Sequence, residues 1–176
     1  EFNEKNWENA IALYDEADTR GARERVAACN VQLGEIEFNG KNWKKAIAFF
    51  ELALDHSTSV VEAEDRISSC NFELGEIEFN GEDWEKAIAH YEKADTPEAK
   101  ERLSSCNLAL GKINLALKVW KVAKSFFLQI PQGHAEFDAA QKGIQTSEDA
   151  IRKAERKAAA EYRKKYIVEI SSTKLY

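Results

Sequence analysis

Residues 33–47 read L-G-E-I-E-F-N-G-K-N-W-K-K-A-I, and they decide the fold because the chain repeats them. A close copy, L-G-E-I-E-F-N-G-E-D-W-E-K-A-I, occupies residues 74–88, and a weaker copy, L-G-K-I-N-L-A-L-K-V-W-K-V-A-K, occupies residues 110–124. Self-similarity at a fixed period of tens of residues indicates an architecture built from one repeated supersecondary unit. We therefore expect a single structural unit to recur along the chain.

The period follows from two residue types that recur at matching intervals. The tryptophans lie 36, 41 and 36 residues apart, and the cysteines lie 41 and 36 residues apart. These residues are Trp7, Trp43, Trp84 and Trp120, with Cys29, Cys70 and Cys106. Each series contains one interval that is five residues longer than the others, so the unit is 36 residues long and the five extra residues are an insertion between two units. The polar stretch 55–60 lies in that interval, and we expect it to form a loop.

Each unit contains two amphipathic stretches. Apolar residues recur at intervals of three and four on both sides of Asn39-Gly40, which is a typical break between helices. The first set is Val26, Cys29, Leu33 and Ile36, and the second set is Trp43, Ala46, Ile47, Phe50 and Ala53. A unit is therefore predicted to be a helical hairpin, in which small residues such as Gly34 and Gly75 allow close approach. Since one hairpin cannot bury both of its apolar faces, the hairpins must stack into an all-α fold.

These residues resemble the tetratricopeptide repeat (TPR), in which Leu-Gly in a first helix precedes an aromatic residue, alanine, a second aromatic residue and alanine in the next helix. The matching residues are Leu33, Gly34, Trp43, Ala46, Phe50 and Ala53, then Leu74, Gly75, Trp84, Ala87, Tyr91 and Ala94, then Leu110, Gly111, Trp120, Ala123 and Phe127. The resemblance covers residues 1–131, as a half repeat over 1–18 and repeats over about 21–54, 60–95 and 97–131. It implies a right-handed solenoid of stacked antiparallel hairpins. Asn30, Asn71 and Asn107 depart from the pattern, because a bulky residue is expected there.

The beginning of the chain falls in mid-unit. Residues 1–3 read E-F-N and align in register with residues 37–39 and 78–80. We therefore expect a fragment of a longer array, in which the unpaired half repeat near Trp7 leaves apolar surface open. Such a surface suits self-association, so one alternative function is that of an assembly segment within a larger repeat protein.

The pattern changes after residue 131. Apolar residues then follow the spacing of one long helix over residues 132–166, which we expect to cap the last hairpin. Its exposed part is basic, with Arg152, Arg156, Lys157, Arg163 and Lys164 as a second candidate surface. That surface is either simply solvated or binds a partner helix or an anion. Contact with an anionic membrane surface or with nucleic acid is therefore the second alternative function, and of these two partners nucleic acid is disfavoured. The tail 167–176 has β-branched content and is expected to be extended, with order only on pairing.

Length and composition restrict the class of protein and the cellular compartment. A chain of 176 residues suits one domain. It contains no apolar run of membrane-spanning length, and we expect neither a membrane span nor a signal peptide. Three widely separated cysteines favour a reducing compartment, so we expect an intracellular, cytoplasmic protein. Residues 1–110 contain 24 acidic and 12 basic residues, whereas residues 111–176 contain 7 and 13, so the two parts present opposite charge.

No set of residues predicts catalysis. His56, His90 and His134 lie in different units, and none has a second ligand at a metal-binding spacing. The cysteines and tryptophans recur once per unit on the apolar stripe, so we interpret them as core residues. A glycine-rich phosphate loop is missing from the sequence. We therefore expect neither enzymatic activity nor a metal or cofactor.

The resemblance implies that the first helices of the hairpins line a concave groove. The residues predicted to face it are Val31, Glu35, Phe38, Asn39, Phe72, Glu76, Phe79, Asn80, Leu108, Lys112 and Leu115. This acidic and apolar surface suits a peptide or helix with hydrophobic and basic residues, which makes a non-catalytic protein–protein interaction scaffold the leading function. In the alternative interpretation Phe38 and Phe79 close the hairpin core and the glutamates are solvated. Glu35 and Glu76 also argue against a clamp for the acidic tails of chaperones.

Overall fold

The computed structural model describes residues 4–17, 19–57 and 61–173. All regular structure within those ranges is α-helical, which confirms the predicted all-α class. The helices are α1 (Glu4–Asp15), α2 (Arg20–Asn39), α3 (Trp43–His56), α4 (Val61–Asn80), α5 (Trp84–Ala94), α6 (Pro97–Ala116), α7 (Trp120–Phe127) and α8 (Phe137–Thr173). The expected loop 55–60 is wrong for Asp55 and His56, which form the end of α3. Residues 1–3, on which the register at the start of the chain rests, and residues 58–60, the second half of the expected loop, lie outside the described residues.

The chain divides into two compact units, Glu1–Leu103 and Ser104–Tyr176, and the division falls within α6. In the first unit each of the helices α1 to α4 packs on the helix that follows it along the chain. In the second unit α7 packs on α8. Packing between sequence neighbours is what a chain of helical hairpins requires.

An aromatic ring lies directly against a glycine in the two hairpins of the first unit. A Cβ atom added to Gly34 would lie 2.6 Å from Cε1 of Phe50, and one added to Gly75 would lie 2.5 Å from Cε1 of Tyr91. Both rings are fully buried. Because not even a methyl group fits between ring and backbone, the predicted role of these glycines in close helix approach is confirmed.

In the second unit one ring packs between two glycines. A Cβ atom on either Gly111 of α6 or Gly143 of α8 would overlap the ring of Phe127, which belongs to α7. The buried core around this ring consists of Leu108, Ala123, Phe127, Ile130 and Ala140. The first part of α8 therefore covers α7, and an ion pair of 2.7 Å between Lys124 Nζ and Glu148 Oε1 joins the two helices at the surface.

The turn between the two helices of a hairpin has the same backbone conformation in the hairpins α2–α3, α4–α5 and α6–α7. Its left-handed residue is Lys41, Glu82 or Lys118, with φ of 58°, 59° and 62°. The residue after it donates a backbone hydrogen bond to a carbonyl five positions earlier, as in Asn42 N to Glu37 O at 2.8 Å. Gly40, at the predicted break, has φ −76°, so the left-handed residue is the one that follows it. Because a non-glycine residue rarely adopts this conformation, the backbone bonds of the turn must hold it there.

Helix α8 is longer than the sequence pattern predicts. It contains 37 residues, about 55 Å of helix at 1.5 Å per residue. Every residue from Arg152 to Ile167 is exposed. The helix begins at Phe137 and ends at Thr173, so the expected bounds of 132 and 166 are both wrong, and so is the expected extended tail as far as Thr173. Adding residues to an existing helix costs less than ordering a strand that has no partner. Residues 174–176 of the tail lie outside the described residues.

We expect Gly75→Ala to lower the free energy of unfolding by about 1–3 kcal/mol, because the new methyl group would overlap the buried ring of Tyr91. Gly21→Ala is the matched control: Gly21 also lies in a helix, but nothing approaches its Cβ position within 4 Å. There alanine should raise the free energy of unfolding by up to about 1 kcal/mol through helix propensity. Urea unfolding measures both variants, and equal effects would contradict the role of the glycine–ring contact.

Candidate functional site

Glu35, one of the predicted groove residues, is held by an arginine of the next hairpin. Glu35 Oε1 on α2 lies 2.6 Å from Nε of Arg66 on α4. The Arg66 guanidinium carbon also lies 4.7 Å from the centroid of the Phe38 ring, within the range of a cation–π contact. A charge pair and an aromatic stack therefore share one arginine, and together they join α2 to α4.

The same cluster recurs one unit later. Nε of Arg102 lies 2.7 Å from Glu76 Oε1, and its Nη2 donates to Oε2 at 2.9 Å, so this arginine binds the carboxylate through two bonds. Tyr91 Oη donates to Glu76 Oε1 at 2.6 Å. The Arg102 guanidinium carbon lies 4.8 Å from the centroid of the Phe79 ring. The ring that packs on Gly75 therefore also fixes the carboxylate at the centre of this cluster.

The two phenylalanines also belong to the hairpin core. Phe38 meets Trp43 edge-to-face at 5.2 Å between ring centroids, and Phe79 meets Trp84 at 5.1 Å. Each phenylalanine thus has a tryptophan of its own hairpin on one side and an arginine of the next hairpin on the other. The placement agrees with the alternative in which these rings close the hairpin. The glutamates, however, are ion-paired rather than simply solvated.

The arginines are the part of the site that the groove prediction missed. Arg25, Arg66 and Arg102 recur at intervals of 41 and 36 residues, the same intervals as the cysteines. The periodicity could therefore have identified them as part of the repeat. Arg25 contacts a different ring, since its guanidinium carbon lies 5.6 Å from the centroid of Tyr14.

The other predicted groove residues differ in exposure. In the first unit Val31 and Phe72 are half-buried, while Asn39 and Asn80 are exposed. We name the first-unit set the α2/α4 face; it consists of Val31, Glu35, Phe38, Asn39, Phe72, Glu76, Phe79 and Asn80. In the second unit Lys112 is exposed, Leu115 is half-buried and Leu108 is buried in the core around α7, so Leu108 offers little surface to a partner.

A second feature of the first unit is a cleft of about 430 Å³ that holds a polar pair. Asn71 is 4% exposed, its Nδ2 donates to Ile67 O at 3.0 Å, and its Oδ1 lies 3.4 Å from Nδ1 of His90. Burial lowers the pKa of His90, and Lys93 and Lys44 lower it further, while Glu78 acts in the opposite sense. The cleft is lined by Lys44, Ile47, Glu51, Ile67, Asn71, Leu74, His90 and Lys93.

The cysteines occupy the core, as the repeat predicts. Cys29, Cys70 and Cys106 are at most 5% exposed. Burial raises the pKa of the Cys70 thiol to about 11, which leaves it protonated and unreactive at neutral pH. The tryptophans, expected in the core, are only half-buried. Three of them, Trp43, Trp84 and Trp120, are the first residue of the second helix of a hairpin, and Trp7 lies in the first turn of α1.

Within the described ranges no three His, Cys, Asp or Glu side chains come together as metal ligands. His56 lies on α3, His90 on α5 and His134 between α7 and α8, so they are separated as the sequence indicates. None of the helices that the structure describes combines the length and apolar character needed to cross a membrane.

The exposed part of α8 carries the predicted second surface. At about 100° per residue, Arg152, Arg156 and Arg163 fall within one narrow angular sector. Lys153, Lys157 and Lys164 fall within the neighbouring sector. All of these side chains are exposed, so an arginine row and a lysine row run side by side along the helix.

Comparison with known proteins adds little to this description. No protein-family model matches the chain, and no curated protein matches it. Among solved structures the chain is similar, at 18% sequence identity, to one titled "Crystal structure of BtubC (BKLC) from P. vanneervenii", over 89% of this chain and 75% of that one. The TM-score of 0.26 is too low to carry a conclusion about fold or function.

A double-mutant cycle of Glu76→Gln and Arg102→Ala should give a coupling energy of about 1 kcal/mol, because the pair is bidentate but partly exposed. The matched control is the Arg20–Glu24 pair, whose side chains are 95% and 57% exposed and which should show no measurable coupling. Urea unfolding of the single and double variants supplies both values. Coupling in the control as large as that of Glu76 and Arg102 would contradict a special role for the cluster.

His90→Phe should remove a pH-dependent loss of stability, since phenylalanine occupies the equivalent positions 49 and 126. Because the folded pKa of His90 is lowered, the unfolded chain binds the proton more readily, and the stability of the wild type falls as the pH drops below about 6.5. The gain in unfolding free energy from the substitution should therefore be larger at a pH of about 5 than at about 8. Thermal unfolding at both values measures it, and a pH-independent difference would refute the assignment.

Proposed function

We propose that the chain is a non-catalytic protein–protein interaction scaffold of the TPR kind, with helical hairpins stacked as a right-handed solenoid. The α2/α4 face is its binding surface. The observation that carries this proposal is the pair of Glu–Arg–Phe clusters, which hold side chains in fixed positions while the arginines stay 42% exposed. Side chains that are already ordered lose little conformational entropy when a partner binds.

The chemistry of this face suits an extended or helical peptide with apolar anchors. Phe38, Phe72 and Phe79 are half-buried, so part of each ring is available to a hydrophobic side chain of the partner. Asn39 and Asn80 are exposed, and each amide can donate to and accept from a peptide backbone. Apolar contacts would then supply most of the affinity, and the amides would fix the orientation.

The charged groups of the face would tune selectivity. Glu35 and Glu76 favour basic residues in the partner, but each carboxylate is already paired with an arginine. A lysine or arginine of the partner would have to share the carboxylate, which limits the energy that it can contribute. We therefore infer a partner with hydrophobic anchors and a small number of basic residues.

Contact with an anionic partner through α8 is the second candidate function. It is supported by the exposed arginine and lysine rows, which present six cations to solvent on one side of a helix. A nucleic acid backbone would release counterions on binding such a surface, so its affinity would fall steeply as salt is added.

A displayed peptide library tests the leading proposal even while the natural partner is unidentified. Peptides selected on the wild-type chain should contain regularly spaced apolar residues and one or two basic residues. Replacing both Asn39 and Asn80 by alanine should weaken these peptides about thirtyfold, because each of the two substitutions loses about 1 kcal/mol for its missing hydrogen bond. Fluorescence anisotropy of labelled peptides measures the affinities.

Glu92→Ala, an exposed substitution on the outer helix α5, is the matched control and should leave the affinities unchanged. Circular dichroism should show the same helix content in all variants, since the asparagine side chains are exposed. Selected peptides that bind the double variant as tightly as the wild type would remove the α2/α4 face from consideration.

A further inference from the structure

The tip of the third hairpin differs from the tip of the second in a way that the fold does not explain. The two turns have the same backbone, yet Gly81, Asp83 and Lys86 of the second hairpin correspond, 36 residues later, to Leu117, Val119 and Val122. With Ile113 these residues make four exposed aliphatic side chains, which we name the third tip. Their exposed fractions are 44% for Ile113, 67% for Leu117, 43% for Val119 and 41% for Val122.

The polar version of this turn is the better one for folding. Asp83 Oδ1 accepts a hydrogen bond from Lys86 N at 3.3 Å and so caps α5, and Asp83 Oδ2 pairs with Lys86 Nζ at 2.6 Å. Val119, at the same position before α7, has no side-chain group that could cap the helix. Leu117, Val119 and Val122 also leave 67%, 43% and 41% of their surface in water, where an apolar group contributes nothing to stability. The third tip therefore gives up local stability for an apolar surface, which points to an interaction.

The charges around the third tip are inverted as well. Glu76, Glu82 and Glu85 of the second hairpin correspond to Lys112, Lys118 and Lys121. From residue 103 to residue 135 the sequence contains no acidic residue at all. Among the residues that the structure describes, none of these three lysines has a carboxylate within 4.0 Å. Each of these lysines is adjacent in sequence to a residue of the third tip, so the charged neighbours of the tip along the chain are cations that have no carboxylate partner in the described part of the chain.

We propose that the third tip docks on an anionic lipid bilayer. Leu117 and Val119 lie in the turn, and Ile113 and Val122 lie in the adjoining last turn of α6 and first turn of α7. Exposed aliphatic side chains at the end of a hairpin are suited to entering the boundary between head groups and acyl chains. Lysines around such a tip lie at the depth of the head groups, where their long side chains keep the ammonium groups in water and close to lipid phosphates. The three lysines supply the charge complementarity that selects an anionic surface.

The net negative charge of residues 1–110 opposes this contact but does not prevent it. Repulsion from acidic groups falls off beyond a Debye length of about 8 Å at physiological ionic strength. Attraction by lysines that touch the head groups is not reduced in the same way. The contact is a peripheral one, added to whatever the α2/α4 face binds.

The test is co-sedimentation of the full chain with phosphatidylcholine vesicles that contain or lack phosphatidylserine. The wild type should bind the phosphatidylserine vesicles, with affinity that falls as salt is added, and should bind the neutral vesicles at least about tenfold more weakly. The decisive variant, Leu117→Gly with Val119→Asp and Val122→Lys, installs the turn of the second hairpin, which this fold already accommodates. It should lose vesicle binding while helix content and thermal midpoint stay the same or rise.

Two further variants keep the result interpretable. Lys118→Glu with Lys121→Glu restores the charges of the second hairpin and should abolish binding while leaving the aliphatic tip in place. Arg156→Glu with Lys157→Glu changes α8 alone and should retain most of the binding. If the α8 variant abolishes binding and the tip variants do not, the proposal is overturned in favour of α8.

Three other outcomes would also overturn the proposal. One is failure of the wild type to bind either kind of vesicle. Another is equal binding of neutral and anionic vesicles. The third is concentration-dependent association of a wild type that binds no vesicles, measured by sedimentation velocity and abolished by Leu117→Gly with Val119→Asp and Val122→Lys. That result would assign the tip to a second copy of the chain. None of these results depends on whether the α2/α4 face binds peptides.

Discussion

The contact between a glycine and an aromatic ring determines the spacing of the helices on which the remaining interactions depend. Where Phe50 lies on Gly34 and Tyr91 lies on Gly75, two helices of a hairpin are fixed at a distance that no larger residue permits. Tyr91 then extends this constraint to the surface, because its hydroxyl group binds Glu76. The same kind of contact joins α8 to α7, since Phe127 of α7 packs against Gly143 of α8. One kind of contact, a ring against a glycine, therefore sets the helix spacing in the core, orients a surface cluster and positions the final helix.

Local spacing made the hairpins predictable from sequence. The apolar residues of α2 and α3 recur at intervals set by the helix itself, so the helices, the break near Gly40 and the buried cysteines all follow from residues close together in the chain. The ion pairs between hairpins do not follow in this way. Glu35 and Arg66 are separated by a whole helix and a loop, and only their recurrence from unit to unit signals that they meet. The α2/α4 face was therefore predicted with its acids but without the arginines that neutralise them.

The end of α8 shows a different limit of sequence reasoning. β-branched residues after position 166 indicated an extended tail, but propensity for a strand has no effect without a neighbouring strand to pair with. A helix that is already formed can add residues without a new nucleation step, so α8 continues through Thr173. The length of α8 shows that extending the existing helix outweighed the strand propensity of the residues after position 166. The resulting rod keeps its arginine and lysine rows in water, where only a partner could cover them.

Repetition also separates what the fold needs from what a function needs. A position that stays the same in every hairpin, such as the glycine beneath the ring, is explained by packing. Packing does not explain a position whose residue changes between hairpins while the backbone conformation stays the same. Leu117 and Val119 are two such positions, because backbone hydrogen bonds hold their turn whatever the side chains are. His90 is another case: it stands where two other hairpins have phenylalanine, and it faces a buried asparagine. Because each hairpin acts as a control for the others, departures from the repeat indicate the places where this chain has acquired chemistry of its own.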